Sequence, residues 1–452
     1  MYIAIFITLF EVINFSVKNF LSFKEEVSFT FNAASIKEHP DHVFEMADGR
    51  YNLLNGALLY GANGSGKSNF ISALSFVKDF AINSFKNKQA KEKIDIDEFR
   101  LSTDTLNKPS RFEIEILIDD TKYRYGFIVD KVVVSEEWLY VSHKIKEYPL
   151  FQRVFDSDSD HYNYDVNPRF KETDSADPEL TRKNSLFLSM CAQLNGKTSI
   201  KIIEWFQKAT FVSGTNYMEY VDYTANLLNT PRQNEVMLRI LKKANLGFSK
   251  VRIIKNPMTE EMLSGLPKEL KSLILSSNSD ALQVKTHHNK YDHLGNVVAN
   301  DVEFDLMRDE SLGTQKFFAL LGPIYNSLLN GSLLIIDELD ARLHTNLSRL
   351  IIEFYQSAFN NPNKSQFLFA THNTQFMDKT LFRRDQLFLI DKTKNESSFL
   401  YNIFNMSKFD SDLPSVRNDA SFEKEYLEGK YGAVPFDQTA GRNLHIWDLM
   451  SE

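Results

Sequence analysis

Between Gly61 and Ser68 the chain reads GANGSGKS, a G-x-x-x-x-G-K-S spacing. The apolar run Ala57–Tyr60 precedes it, and Phe70, Ile71, Leu74 and Val77 follow at helical intervals. Glycines at this spacing let the backbone fold tightly enough for successive N–H groups to face a phosphate. The helix that follows adds its positive end. Such a loop needs a buried strand before it and a helix after it, so it commits the chain to an α/β architecture. Gly61, Asn63, Gly64, Gly66, Lys67, Ser68 and Asn69 are the expected nucleotide contacts. Lys67 is placed to reach the β and γ phosphates, and Ser68 to set its hydroxyl on Mg²⁺.

Composition narrows the setting. A chain of 452 residues has room for two or three domains. The net charge of −8 argues against a uniformly basic, nucleic-acid-coating surface, though local basic patches stay open. A single cysteine, Cys191, excludes an internal disulfide framework and a cysteine-based zinc site, as expected for a cytoplasmic protein. The apolar start, Met1 to Phe10, is stopped by Glu11 and is too short to span a membrane. It lacks a basic leader and a cleavage site, and is read as a buried strand. No membrane segment is expected elsewhere, which excludes a transporter built on this chain alone.

Phe15 to Phe31 reads as hairpin strands, and Arg111 to Val141 as an antiparallel meander turning at Asp119-Asp120. Asp156 to Pro178 is polar and reads as an irregular excursion. Helical patterns over Asn184–Leu194, Ile200–Lys208, Arg232–Ala244 and Glu260–Leu275 suggest an inserted, mostly helical subdomain. Ala281–Leu306 returns to strand and turn. Short strands at Leu333–Ile336, Gln366–Ala370 and Gln386–Ile390, with a helix over Leu347–Ala358, point to a parallel sheet. The expected domains are 1–150 and 281–452, the two parts of a nucleotide-binding head, with 151–280 as the helical insert.

Three further stretches carry chemistry. SLLIIDELD, Ser332 to Asp340, is an apolar strand ending in acids. Asp337 would hold Mg²⁺ through water, and Glu338 would orient or deprotonate an attacking water. QFLFATHNTQFMD, Gln366 to Asp378, ends a strand at Ala370 and places His372 near the ligand edge of an open sheet. RDESLGTQKFFALL, Arg308 to Leu321, sets Ser311 and Gly313 at a helix start, a second anion-binding geometry.

P-loop, Ser311-x-Gly313, Asp337-Glu338 and His372, in that order, resemble an ABC-type ATPase head with a mixed sheet. The long insert is similar to that of the SMC, RecF and OLD branch. FSVKNFLSFKEE, YGANGSGKSN, YRYGFIVD, SEEWLY, NSLFLS, ESLGT, DELDARLH, THNTQFMD, QLFLID and EKEYLEGKYGAVP together resemble stand-alone ATP-binding proteins of the RloA and AbiLi type, from Phe15 to Pro435. The resemblance implies an ATP- and Mg²⁺-dependent ATPase in antiphage or restriction-linked defence, often paired with a Toprim-type nuclease similar to RloB. It implies a homodimer or higher homo-oligomer in which Ser311 and Gly313 of one copy meet the γ-phosphate held by Lys67 of the other. Hydrolysis through Glu338 and His372 would release the dimer. The chain departs from that pattern: its signature is Glu310-Ser311-Leu312-Gly313-Thr314. His344 stands where the D-loop aspartate is usual, with Asp340 as a partial substitute. The Q-loop glutamine is not identifiable, and Gln193 is a candidate.

Other features read as solvated surface. His287, His288 and His293 suggest a hairpin tip rather than a metal site. Lys242, Lys243, Lys250, Arg252 and Lys255 form a basic face that could meet DNA or RNA. That keeps a RecF/SMC-like DNA-binding repair ATPase as the alternative. An ATP-gated RNase based on Arg442 and His445 is a weaker third, since that spacing is generic.

Overall fold

The computed structural model describes residues 10–86, 89, 91–144, 146–174, 176–248, 250–257, 271, 280–409 and 416–434. Alternating apolar residues in the N-terminal part build a seven-stranded antiparallel sheet. Its members are β1 (Phe10–Lys18), β2 (Val27–Thr30), β6 (Ser110–Ile118), β7 (Thr121–Val129), β8 (Val134–Ser142), β9 (Tyr148–Asp156) and β10 (His161–Val166), ordered β10-β9-β8-β7-β6-β1-β2. Asp119 and Asp120 make the β6–β7 turn in left-handed conformations, at φ 46° and 64°. A small hairpin, β3 (Val43–Met46) with β4 (Tyr51–Leu54), leads into the second large sheet.

That sheet has six strands, ordered β11-β15-β16-β5-β17-β18. They are β5 (Gly56–Tyr60), β11 (Thr210–Ser213), β15 (Leu334–Asp337), β16 (Phe367–Ala370), β17 (Leu387–Lys392) and β18 (Ser398–Asn402). β5 pairs in parallel with both β16 and β17, and β16 with β15. Every residue of β5 is buried, as a central parallel strand covered on both faces requires. Helix α1 (Lys67–Asn83) packs Phe70 against Phe15 and Phe29 of the antiparallel sheet, with ring centroids 5.6 and 5.8 Å apart. The helix at the phosphate loop is thus locked to a core that joins both sheets.

The chain divides into two compact units: Met1–Val212 with Ser327–Leu339 and Ile352–Glu452, and Ser213–Asn326 with Asp340–Ile351. This differs from the expected boundaries at 150 and 280. Residue 150 falls inside β9, and helices α2 (Phe187–Gln193) and α3 (Lys197–Lys208) belong to the first unit. The reason is packing: the Phe151 ring lies 5.4 Å from Phe170 and 4.9 Å from Phe187. Glu137 of β8, fully buried, accepts from Arg153 Nε at 2.8 Å, Tyr125 Oη at 2.9 Å and the Phe187 and Leu188 amides at 2.7 and 3.0 Å. It ties α2 to the sheet. The polar stretch after Asp156 is also more regular than expected. β10 is an edge strand whose His161, Asn163 and Asp165 face solvent, so its sequence reads as loop.

The second unit is mixed rather than mostly helical. It holds α4 (Glu219–Leu228), α5 (Pro231–Lys243), α6 (Leu306–Asp309) and the start of α7 (Leu312–Asn330) and α8 (Thr345–Gln356). Beside them lies a three-stranded antiparallel sheet, β12 (Lys250–Pro257), β13 (Asp280–Tyr291) and β14 (Val297–Asp305), in that spatial order. The helix expected over Glu260–Leu275, apart from Lys271, and the Arg442–His445 stretch lie outside the described residues. No described helix is long and apolar enough to cross a membrane.

One buried carboxyl generates a test of this core. Glu11 sits in β1 opposite Leu117, with no exposed surface, and its carboxylate oxygens have no hydrogen-bond partner among the described residues. Burial pushes its pKa well above the ordinary 4.5. Its contribution to stability is therefore full below pH 4.5 and is lost as pH rises through the raised value. Glu11→Gln removes that loss. Urea unfolding should find the two proteins alike near the acid end. The variant should gain about 1.4 kcal/mol for each unit that the folded pKa is raised. Parallel pH profiles would contradict the assignment.

Candidate nucleotide-binding site

Register determines where the site forms. Leu334 lies beside Phe367 and Phe367 beside Gly56, so β15, β16 and β5 end level with one another. Gly61, Asp337 and Thr371 therefore start or end their turns at one sheet edge, the C-terminal edge where open α/β sheets bind ligands. A cavity of about 300 Å³ opens there, lined by Asn63, Gly64, Gly66, Lys67, Ser68, Asn69, Asp337, Glu338 and His372. Nine of the residues singled out in the sequence thus share one cavity. Gly61 lies behind it, buried, with its carbonyl accepting from Lys67 Nζ at 2.8 Å. The same ammonium reaches the Ala62 carbonyl at 3.0 Å.

The loop is held from behind. Gly66, the residue before α1, has φ 118°, and a Cβ there would stand 2.5 Å from Ser398 Oγ and 2.8 Å from Ser22 Oγ. A side chain there would be strained by the backbone and crowded by both hydroxyls. Ser398 Oγ donates to the Ser65 carbonyl at 2.5 Å, while its own N–H donates to the Ser22 carbonyl at 2.7 Å. A loop carbonyl bonded in this way is turned from the phosphate, which leaves the loop's N–H groups to face it. The turn after β16 is fixed too: Thr371 N–H donates to the Leu59 carbonyl at 3.1 Å, and Tyr60 Oη to the Asn373 carbonyl at 3.2 Å.

Asp337 and Glu338 end β15 in different states. Asp337 Oδ1 is buried and has no hydrogen-bond partner among the described residues. A buried carboxylate oxygen without a donor is costly unless a cation meets it. With the Ser68 hydroxyl lining the same cavity, the pair suits Mg²⁺, which takes few protein ligands and completes its shell from water and phosphate. Glu338 has φ 54°, a left-handed backbone rare for glutamate, and the Leu339 N–H pins the turn to the Ala370 carbonyl at 3.0 Å. Strain of this kind persists where the surroundings over-determine it, and Glu338 lines the cavity from this turn.

The lining residues do not include Ser311 or Gly313, which belong to the second compact unit. There Ser311 caps α7, its Oγ accepting from Thr314 N–H at 3.2 Å. Ser311 and Leu312 are exposed, Leu312 by 53%. A Cβ on Gly313 would lie 2.9 Å from the Arg342 carbonyl, so the DELDARLH turn approaches this helix closely. Gln193 is exposed at the end of α2 and is not among the residues that line the cavity. His287 is buried, with Nδ1 2.6 Å from Asp301, and His288 meets Glu310, so neither is part of a solvated tip. No group of three or more metal-ligating side chains occurs among the described residues. Sequence reading missed Ser22 and Ser398, single serines far from the loop in the chain, for which no local signal exists.

The sequence profile of the AAA_21 family, described as "AAA domain, putative AbiEii toxin, Type IV TA system", matches residues 57–378, more than two-thirds of the chain. No curated protein sequence matches it. Among solved structures, an SMC head bound to the C-winged helix domain of ScpA is 13% identical at a TM-score of 0.40, covering 86% of this chain and 97% of that one. The SMC head domain from Thermotoga maritima is 14% identical at 0.38, covering 87% and 98%. The Smc head with an extended coiled coil from Pyrococcus furiosus, bound to the C-terminal domain of ScpA, is 12% identical at 0.38, covering 89% and 98%.

The Ser398 brace can be tested directly. Ser398→Ala removes one hydrogen bond from the loop and should weaken binding of a fluorescent ATP analogue by roughly two- to tenfold, the worth of one such bond. Affinity equal to wild type would show that the loop holds its shape without it.

Proposed function

Because the chain belongs to the AAA_21 family, we propose that it is a Mg²⁺-dependent ATPase that works as an assembly switch in an abortive-infection type of phage defence. The observation that carries the ATPase reading is the single cavity shared by Lys67, Ser68, Asp337, Glu338 and His372. In it the loop N–H groups and Lys67 bind the β and γ phosphates. Lys67 already spans two loop carbonyls, so an incoming phosphate replaces contacts the ammonium makes without it. Ser68 and Asp337 hold Mg²⁺, which supplies charge neutralisation on the phosphates. Glu338 takes the proton of the attacking water, and His372 contacts the γ-phosphate or that water. Asn69 also lines a second cavity of about 300 Å³, with Leu21, Phe99, Arg100 and Lys392, that offers room for the base and ribose.

The turn at Ser311-Leu312-Gly313 supports a head-to-tail dimer, because a helix start with exposed Ser311 and Leu312 is open to receive an anion carried by a second copy. In that dimer the turn of one copy closes on the γ-phosphate of the other, and hydrolysis resets it. The defence role rests on the family's description as a toxin of a toxin–antitoxin system. With no nuclease constellation legible in the sequence, a separate effector of the Toprim type is the expected partner. Exposed Lys242, Lys243, Lys250 and Lys255 favour the second reading, a repair clamp that binds DNA directly. Salt-dependent, ATP-dependent DNA binding by the purified protein alone would select it.

ATP turnover separates the roles. Glu338→Gln should lower kcat by about 10²-fold or more, the usual loss of a general base, and retain ATP. In size-exclusion chromatography with ATP it should persist as a dimer. Lys67→Ala should lose ATP affinity itself. Wild-type turnover in both variants would sink the assignment.

A further inference from the structure

The turn that carries Ser311 and Gly313 is exposed, yet the residue before it is anchored. Glu310 has only 8% of its side chain exposed. Its Oε1 accepts from Thr286 Oγ1 at 2.5 Å and meets His288 Nε2 at 2.8 Å. Both partners lie on one face of β13, two residues apart. The His288 ring is itself fixed between aromatic neighbours, with centroids 4.5 Å from Phe304 of β14 and 6.2 Å from Phe248. The backbone of Glu310 is held as well. Gln315 Nε2 donates to its carbonyl at 3.0 Å and to the Met307 carbonyl at 3.2 Å. Side chain and main chain of Glu310 are therefore both fixed, one residue upstream of an exposed, functional turn.

We propose that Glu310 is a positioning residue, which Thr286 and His288 hold so that the Ser311–Gly313 turn is presented in one conformation to a nucleotide bound on a second copy of the chain. The inference rests on the reading that this turn completes the site in trans. It adds that the three-stranded sheet of the second unit sets the turn's geometry, through a carboxylate that touches no nucleotide. A bare helix start tolerates several conformations of its first residues. One whose preceding carboxylate is tied to a strand does not, and placement errors near one ångström cost rate steeply.

Turnover and binding must be read together. Glu310→Ala and His288→Ala should each lower kcat by roughly 10- to 100-fold while ATP-analogue affinity stays within about twofold, because the P-loop contacts are untouched. The double variant should be no slower than the worse single variant, since both remove one tether. Glu310→Gln keeps an acceptor oxygen for Thr286 and His288 and should recover most of the rate. Ser311→Ala is the reference. If Ser311→Ala loses turnover while Glu310→Ala keeps it, the tether is overturned and the trans reading stands. If both keep wild-type turnover, the trans reading falls and the tether with it. Loss of ATP affinity or of thermal stability in step with kcat would mark Glu310 as a general structural residue and overturn the positioning role.

Discussion

The parallel pairing of β5 with β16 and β17 decides whether the cavity exists, and buried amides at the opposite end of those strands fix that pairing. Gln366 Nε2 donates to the Leu54 and Val12 carbonyls at 3.1 and 3.2 Å, and its Oε1 accepts from the Val12 N–H at 2.7 Å. Gln386 Nε2 donates to Asn55 Oδ1 and the Gly56 carbonyl, both at 2.9 Å. His42, whose pKa burial lowers to about 4, contacts Gln386 Oε1 at 2.9 Å and stays neutral there. Aliphatic strands in parallel can slide, since each register buries similar apolar surface. A slide here would leave several buried amides unpaired, at about 1–3 kcal/mol each. Polar pins at one edge thus determine that Gly61, Asp337 and Thr371 arrive together at the other.

At that other edge the rigidity comes from backbone contacts. Glu338 holds a left-handed φ of 54°, and Gly66 sits where Ser398 and Ser22 leave no space for a side chain. A phosphate-binding loop must not collapse when no phosphate is present, because its N–H groups repel one another and seek partners. Lys67 lying across the Gly61 and Ala62 carbonyls, and Ser398 holding the Ser65 carbonyl, supply the outward half of that arrangement.

The sequence made legible what is chemically contiguous. The glycine spacing, the strand ending in Asp337-Glu338 and the strand ending before His372 each lie within a dozen residues. The structure gathers them into one cavity. What it hid depends on tertiary contact. Ser398 and Ser65 are 333 positions apart, and both are ordinary serines in isolation. Glu310 reads as one acid in a charged run until β13 is folded beside it, 24 and 22 residues upstream. The compact units do not follow the expected boundaries, since the chain leaves the first unit at Val212, returns for Ser327–Leu339 and leaves again, and periodicity carries no signal for such excursions. β10 was hidden by edge exposure, which puts polar residues at every second position.

The second unit's charges bear on what it can meet. Counted along the sequence, Lys250, Arg252 and Lys255 look like a basic stripe. In the folded sheet Arg252 is 3.3 Å from Glu303, and Lys285 of the neighbouring strand is 3.2 Å from Asp305. These pairs offset the charge of Arg252 and Lys285, while Lys250 and Lys255 stay exposed as the strand cations left to displace counterions from a nucleic acid. The contrast lies at the start of α7. Lys316, fully buried, donates to the Ala341 carbonyl at 2.7 Å, and Gly313 lies against the Arg342 carbonyl, so the helix beneath Ser311 and Leu312 is anchored where it faces the interior. An exposed turn on a base tied in this way is poorly suited to wrapping a flexible polyanion. It suits a rigid partner whose phosphate arrives at a fixed distance, and a second copy of this chain carries such a phosphate when its own P-loop is loaded.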